Sequence, residues 1–236
     1  MTNNKLTIAI ATYKERISNA LEIAEKNPTQ QFLIVHQSDH ASKSTMPKNV
    51  VYIHSTEYGI SRSRNIALRE VRSELLLFAD DDIEYIPGFE NNILDAFKEN
   101  PSTDIAIFKI RGREEKKYPI YKTPHFFTRL KACSITIACR PDRIMEKRLS
   151  FDQDFGIGAR YVSGEEHIFL NASQKKRLDI LKVNKAIVIH DHESSGEKMN
   201  HDQFIAKIAS FKKTHGPLSI FLSIPYFLIY KKLSKK

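Results

Sequence analysis

Three carboxylates stand together at Asp80-Asp-Asp82, directly after the apolar run Glu74-Leu-Leu-Leu-Phe-Ala79. Adjacent carboxylates repel one another, so such a cluster at a strand end needs donors or a cation to offset it. In extended geometry Asp80 and Asp82 point to one side, an arrangement suited to a ribose hydroxyl and a divalent metal. Hard oxygen ligands match Mg²⁺ or Mn²⁺ holding a diphosphate. A second acidic pair, Gly164-Glu-Glu-His167, sits at the expected start of a helix. There the macrodipole favours negative charge, and a carboxylate can also serve as a general base. A third group, Val188-Ile-His190-Asp-His192, places two imidazoles at i, i+2 after an apolar strand, a spacing suited to a transition-type metal. Read alone, each has an ordinary alternative: a solvated acidic loop, favourable helix-start acids, and solvent-facing histidines.

The elements that must position these groups read as alternating strands and helices. Leu6–Thr12, Gln31–Val35, Val50–Ile53, Glu74–Ala79 and Asp104–Phe108 are apolar, β-branched runs. Between them, Glu15–Asn27 has helical spacing, Gly59-Ile-Ser61 opens a helix with Ser61 as N-cap, and Pro87-Gly-Phe89 begins another that ends near Pro101. This alternation predicts an α/β domain with a mostly parallel, helix-covered sheet, and ligands of such sheets bind beyond the carboxyl ends of the strands. Residues 111–131 break the rhythm, being basic, aromatic and punctuated by Pro119 and Pro124. A strand at Ser134–Cys139, a loop through Phe155-Gly-Ile-Gly158, a helix from about Glu165 to Lys176 and a strand at Ala186–Ile189 follow.

Residues 6–110 resemble the nucleotide-sugar-binding half of inverting glycosyltransferase family 2, which has the GT-A fold. Three segments carry the resemblance: Ile8-Ala-Ile-Ala-Thr-Tyr13, Gly59-Ile-Ser-Arg-Ser-Arg-Asn65, and Leu75-Leu-Leu-Phe-Ala-Asp-Asp-Asp82, the last matching the strand with the DxD motif. Phe151-Asp-Gln-Asp-Phe-Gly-Ile-Gly158 and Gly164-Glu-Glu-His167 resemble the family's acceptor-side block. The resemblance implies a Rossmann-like donor half (residues 1–110), an acceptor-binding catalytic half of the same domain (111–202), and donor-binding parts for Thr12, Tyr13, Gln37, Arg64, Asp80 and Asp81. It implies metal ligation by Asp82 with His190 or His192, a catalytic base in Glu166, and an acceptor-orienting part for Glu165. The implied cofactor is Mn²⁺ or Mg²⁺. The implied reaction moves a sugar, with inversion, from a nucleotide diphosphate sugar, a UDP-sugar by expectation, to a hydroxyl of a saccharide or lipid-linked acceptor in bacterial surface polysaccharide synthesis. One departure stands out: where relatives carry paired aspartates after the second strand, this chain has His36-Gln-Ser-Asp39. Two other readings use the same residues: a metal-dependent phosphoester hydrolase, and a non-catalytic membrane-docking protein with a transferase-like fold.

The chain has 236 residues, 37 Lys+Arg against 28 Asp+Glu and a net charge of +9, a balance that ordinarily suggests nucleic acid or an acidic membrane. Seven of the lysines fall in residues 203–236, which hold no acid; 37 less these seven leaves 30 basic against 28 acidic residues elsewhere. The near-neutral body argues against nucleic acid. Between the lysine clusters lies Leu218–Tyr230, uncharged and aromatic, with Pro225 inside it. As a helix, thirteen residues rise about 20 Å, short of a hydrocarbon core of roughly 30 Å. Two placements suit residues 203–236: an anionic membrane interface, with lysines on lipid phosphates, or the protein's own core. The first, with no secretory signal evident at the start and only Cys133 and Cys139 present, implies a cytoplasmic protein peripheral to the inner face of a bacterial plasma membrane.

Overall fold

The structure is a computed structural model that describes residues 5–111, 132–189, 200–219, 221, 223 and 224. Four parallel strands form its first half: β1 (Leu6–Tyr13), β2 (Gln31–Gln37), β3 (Val50–Ser55) and β4 (Leu75–Asp80). They lie in the order β3-β2-β1-β4, all paired in parallel. The connections carry α1 (Ile17–Lys26) and α2 (Ile60–Glu70), while α3 (Phe89–Glu99) follows the two-residue strand β5 (Glu84–Tyr85). A 3₁₀ turn, Lys14–Arg16, precedes α1.

The near-continuous apolar character of β1, β2 and β4 follows from burial on both faces. Ile8, Ile10, Phe32, Ile34, Leu75 and Leu77 pack with Ile17, Ala20, Leu21, Ile93 and Phe97 of α1 and α3. Ala9, Leu33, Val35, Leu76 and Phe78 pack on the opposite face with Ala67 and Leu68 of α2 and with Phe151 and Phe169. Consecutive strand residues thus serve different cores. Each fully buried Phe, Leu or Ile contributes about 1.5–3 kcal/mol.

The second half makes the sheet mixed. The strand β6 (Ile105–Arg111) runs parallel to β8 (Ile180–Ile189), and β7 (Ile137–Cys139) enters between β4 and β6, antiparallel to both. The eight strands run β3-β2-β1-β4-β7-β6-β8-β5. The expected strand at Ser134–Cys139 is divided, with a 3₁₀ turn over Ser134–Thr136 and only three residues of β7. A short helix, α4 (Pro141–Glu146), starts at a proline whose missing N–H costs nothing at that position. Next come α5 (Glu165–Lys175) and α6 (His201–His215), the latter opened by a reciprocal capping box between Asn200 and Gln203. The start of the basic 203–236 segment is therefore a helix of the body: Ala206, Ser210, Phe211 and Thr214 are buried, and Lys175 Nζ donates to the Thr214 carbonyl at 2.6 Å.

Candidate active site at the strand ends

The donor-side strands β1, β2 and β4 end together, and the chain leaves β4 at the aspartates. Because β4 stops at Asp80, the extended alternation expected to aim Asp80 and Asp82 alike does not continue. Asp81 is buried: it accepts from Thr12 Oγ1 at 2.6 Å and from Arg16 Nη2, which also donates to Asp82 Oδ2 at 3.2 Å. Burial pushes the Asp81 carboxyl above its usual range, while Thr12 and Arg16 oppose that shift. Asp82 is the exposed member of the three. Asp80 faces inward, its Oδ1 closed off from solvent without a hydrogen bond and 3.6 Å from Arg64 Nη2. Burial raises its pKa, Arg64 counteracts this, and Asp82, Glu166 and Asp81 add to it.

Arg64 is the centre of the arrangement. It lies in the first turns of α2, and its guanidinium is 5% exposed. Nη1 donates to Glu165 Oε1 at 2.9 Å and lies 3.5 Å from Glu166 Oε1; Nη2 donates to Ser134 Oγ at 2.5 Å. The Phe151 ring packs beneath it at 5.6 Å. Burial opposes the guanidinium charge, yet Glu166, Glu165 and Asp80 outweigh that and raise its pKa. One cation therefore joins the aspartate cluster at the end of β4 to the glutamates at the start of α5, Glu165 lying 101 residues beyond Arg64 in the chain.

The glutamates differ. Glu165 is buried, with Oε2 lacking a hydrogen bond, and its pKa is raised to about 7 by burial and by Glu166, against the pull of Arg64. Glu166 is more accessible, its Oε1 accepting from the Ser134 N–H at 3.3 Å. Such a half-open carboxylate can meet an incoming hydroxyl, whereas Glu165 is turned to the protein.

Two glycine-dependent loops hold these pieces in place. Gly59, not Ser61, caps α2, with φ of 122°. The Ser61 hydroxyl instead donates to the Phe155 carbonyl at 2.7 Å, a partner 94 residues away that no local cap pattern reveals. Asn65 Nδ2 donates to the Phe151 carbonyl at 2.9 Å, and its Oδ1 accepts the Phe151 N–H at 2.7 Å. The Ile60 N–H reaches Ile157 O at 2.9 Å. The acceptor-side loop is thus seated on the donor-side helix. A Cβ on Gly156 would lie 2.5 Å from Ile60 Cγ2 and 3.2 Å from the Glu165 carboxyl carbon, so the approach requires glycine.

The other expected residues fall as follows. Tyr13 is 46% exposed and meets Tyr58 edge-on at 5.5 Å; Tyr58 donates to Asp39. Gln37 spends its amide on the loop before α2, donating to Glu57 O at 2.7 Å and Gly59 O at 3.0 Å while accepting the Gly59 N–H. His190 and His192 lie outside the described residues. Among the described residues no group of three or more His, Cys, Asp or Glu is arranged to hold a metal ion. The donor chemistry nonetheless fits a hard cation: Asp82 is an exposed carboxylate, the oxygen type such a cation takes. Arg16 and Ser134 also belong to the site. Neither carries a motif, and each reaches its partner only through the fold.

A mixed sheet flanked by helices, with an aspartate cluster at the end of strand β4 joined through Arg64 to an acidic helix start, fits the GT-A class. The chain belongs to glycosyl transferase family 2, whose profile matches residues 13–163. No curated protein sequence matches significantly. Among solved structures it is similar to S. aureus TarS 1-349, at 15% identity over 89% of this chain and 66% of that one, with a TM-score of 0.61. The same protein in complex with UDP-GlcNAc gives 14%, 89%, 67% and 0.58. The mannosyltransferase PcManGT from Pyrobaculum calidifontis, in complex with GDP-Man and Mn2+, gives 14%, 89%, 61% and 0.54. At such identities the likeness concerns the fold. The chain spans about two thirds or less of the length of these proteins.

Proposed function

We propose that the protein is an inverting glycosyltransferase that moves a sugar from a nucleotide diphosphate sugar to a hydroxyl of a saccharide or lipid-linked saccharide. The observation that carries this reading is the buried Arg64 bridge between Asp80 and the Glu165–Glu166 pair. It supports this reading because it ties Asp80, read as the donor carboxylate, and Glu166, read as the base, to one cation, and direct displacement needs the two held in fixed relation. Asp80 takes the ribose hydroxyls, Thr12 and Arg16 fix Asp81 beneath it, and Tyr13 and Tyr58 offer aromatic surface for the base. Glu166 accepts the acceptor's proton as its oxygen attacks the anomeric carbon, and Arg64 with Glu165 keeps Glu166 aimed. Asp82, with His190 or His192, would hold Mn²⁺ or Mg²⁺, which when bound supplies neutralisation of the diphosphate leaving group.

The UDP, UDP-GlcNAc and GDP-Man complexes of similar structures support a nucleotide-sugar donor, and the Mn2+ in one of them supports a divalent ion. UDP is the donor nucleotide of this reading, and bacterial surface polysaccharide its setting. Residues 216–236 give the protein a peripheral hold on the inner face of the plasma membrane. Phe221 and Ile224, three residues apart, are 70% and 52% exposed. Among the described residues no helix is long and apolar enough to cross a membrane.

The reading is tested by incubating the protein with UDP-GlcNAc, UDP-glucose, UDP-galactose or GDP-mannose, with and without Mn²⁺, and measuring nucleoside diphosphate release. Metal-dependent release from one donor, increased by extracted glycolipid, is expected. Equal phosphate release from simple phosphoesters would contradict it.

A further inference from the structure

The residues that bridge the site come from α2, β4 and α5, and α6 lies against the start of α5. Ser210 is the residue of α6 that meets the α5 N-cap: a Cβ on Gly164 would fall 3.0 Å from Ser210 Cβ. One residue on, Phe211 packs edge-on against His167 at 5.6 Å, and the Thr214 carbonyl meets Lys175 in the last turn of α5. Residues after Ser210 therefore run along α5 toward its C-terminal end. Residues before it lead the other way, past the N-cap Gly164 that immediately precedes Glu165 and Glu166. Lys207 shares a helix face with Ser210, Phe211 and Thr214, and lies about 4.5 Å further toward the carboxylates along the axis.

The charge balance there leaves room for a second cation. Arg64 from α2 faces Glu165, Glu166 and Asp80 at once, so one cation serves three carboxylates. The Cys133 thiol, ahead of β7, also faces Glu166 and Asp80 and is pushed up to about 12, chiefly by burial, so it remains neutral. Burial lowers the pKa of Lys207, while Glu166 and Glu165 pull it back up. Lys213, two turns further along α6, is committed to Asp152 and to the Phe155 ring.

We propose that Lys207 is a positioning residue of the transfer reaction: from α6 it acts as the second counter-cation of the Glu165–Glu166 pair, which makes the C-terminal helix part of the acceptor side of the site. The proposal rests on the transferase reading for its catalytic consequence, and on the α5–α6 packing alone for the ion pairing. It also gives the body-packed start of the lysine-rich tail a purpose distinct from membrane contact.

The test compares wild type, Lys207→Met, which keeps the aliphatic stem, and Lys207→Arg. Each is also built with Glu165→Gln and Glu166→Gln together. In thermal melts at pH 7.5, Lys207→Met should lower Tm by about 2–4 °C in the native background and by far less with both glutamines present. Equal shifts in both backgrounds would overturn the pairing. In donor-turnover assays with Mn²⁺, Lys207→Met should lower kcat roughly tenfold at unchanged donor KM. It should also move the acid limb of the kcat–pH profile upward, because a carboxylate deprived of its cation holds its proton to higher pH. Lys207→Arg should restore both. A coupled melt with an unchanged pH profile and kcat would reduce Lys207 to a structural ion and overturn the positioning role. If wild type turns over none of the four donors, the transferase reading fails, while the melting cycle still decides the pairing.

Discussion

At the scale of single residues, the site is organised around a charge that the protein cannot easily lose. Arg64 satisfies carboxylates from two separate elements, so its removal strands Glu165 in a buried setting. Arg64→Met should cost about 3–5 kcal/mol, measured by urea unfolding, a loss typical of breaking one partner of a buried pair. Glu165 makes the opposite contribution at high pH. Its carboxyl titrates near 7 in the folded chain against 4.5 when unperturbed, so the folded state is most favoured while it is protonated. That stabilisation is fully present below about pH 4.5 and is lost as pH rises through about 7. Relative to Glu165→Gln, wild type should therefore lose Tm between those pH values; parallel curves would mean that Glu165 is not held in its raised state. Asp82→Asn should abolish the metal-dependent part of nucleotide binding in calorimetry while leaving the fold intact. Unchanged binding would remove Asp82 as a ligand.

At the scale of elements, the α2 N-terminus and the 151–158 loop behave as one unit. Ser61, Asn65 and Ile60 all bond across to that loop, and Gly156 allows the contact at φ of 104°. Gly156→Ala adds a methyl where Ile60 already stands, and should destabilise by at least ~1–3 kcal/mol from overpacking. Because the same methyl presses on Glu165, transfer should fall more than donor affinity. The strands and helices of the first half were legible in the sequence because β1, β2 and β4 are apolar on both faces and the helices between them keep their period. The antiparallel β7 was not, since three residues between a 3₁₀ turn and α4 carry no periodicity of their own. The cap of α2 falls at Gly59 and not at the expected Ser61 for a related reason: the Ser61 hydroxyl serves a distant carbonyl, and the positive-φ position is Gly59.

At the scale of the whole molecule, part of the lysine-rich C-terminal segment behind the net charge of +9 belongs to the packed body. Residues 201–215 form a helix that packs on α5 through Phe211 and Thr214, which the lysine count alone could not separate from a surface tail. Deleting residues 216–236 should therefore release the protein from anionic vesicles in sedimentation while preserving nucleotide binding. A truncated chain that still sediments would place membrane affinity elsewhere. The aspartate cluster and the Glu165–Glu166 pair were legible as separate motifs, but their connection through Arg64 was not, and His190 and His192 lie outside the described residues. Arg16 and Ser134 reach the site from the turn after β1 and the turn before β7, and no spacing in the sequence relates them.

The central claim is that Glu166 activates an acceptor hydroxyl on a donor held by the aspartate cluster. Its most direct measurement pairs nucleotide-sugar affinity with transfer in Glu166→Gln, together with the anomeric configuration of the wild-type product by NMR. The account predicts donor affinity within about twofold of wild type, transfer lowered at least ~10²-fold, and a product inverted at the anomeric carbon. Undiminished transfer by Glu166→Gln, or a product of retained configuration, would contradict it.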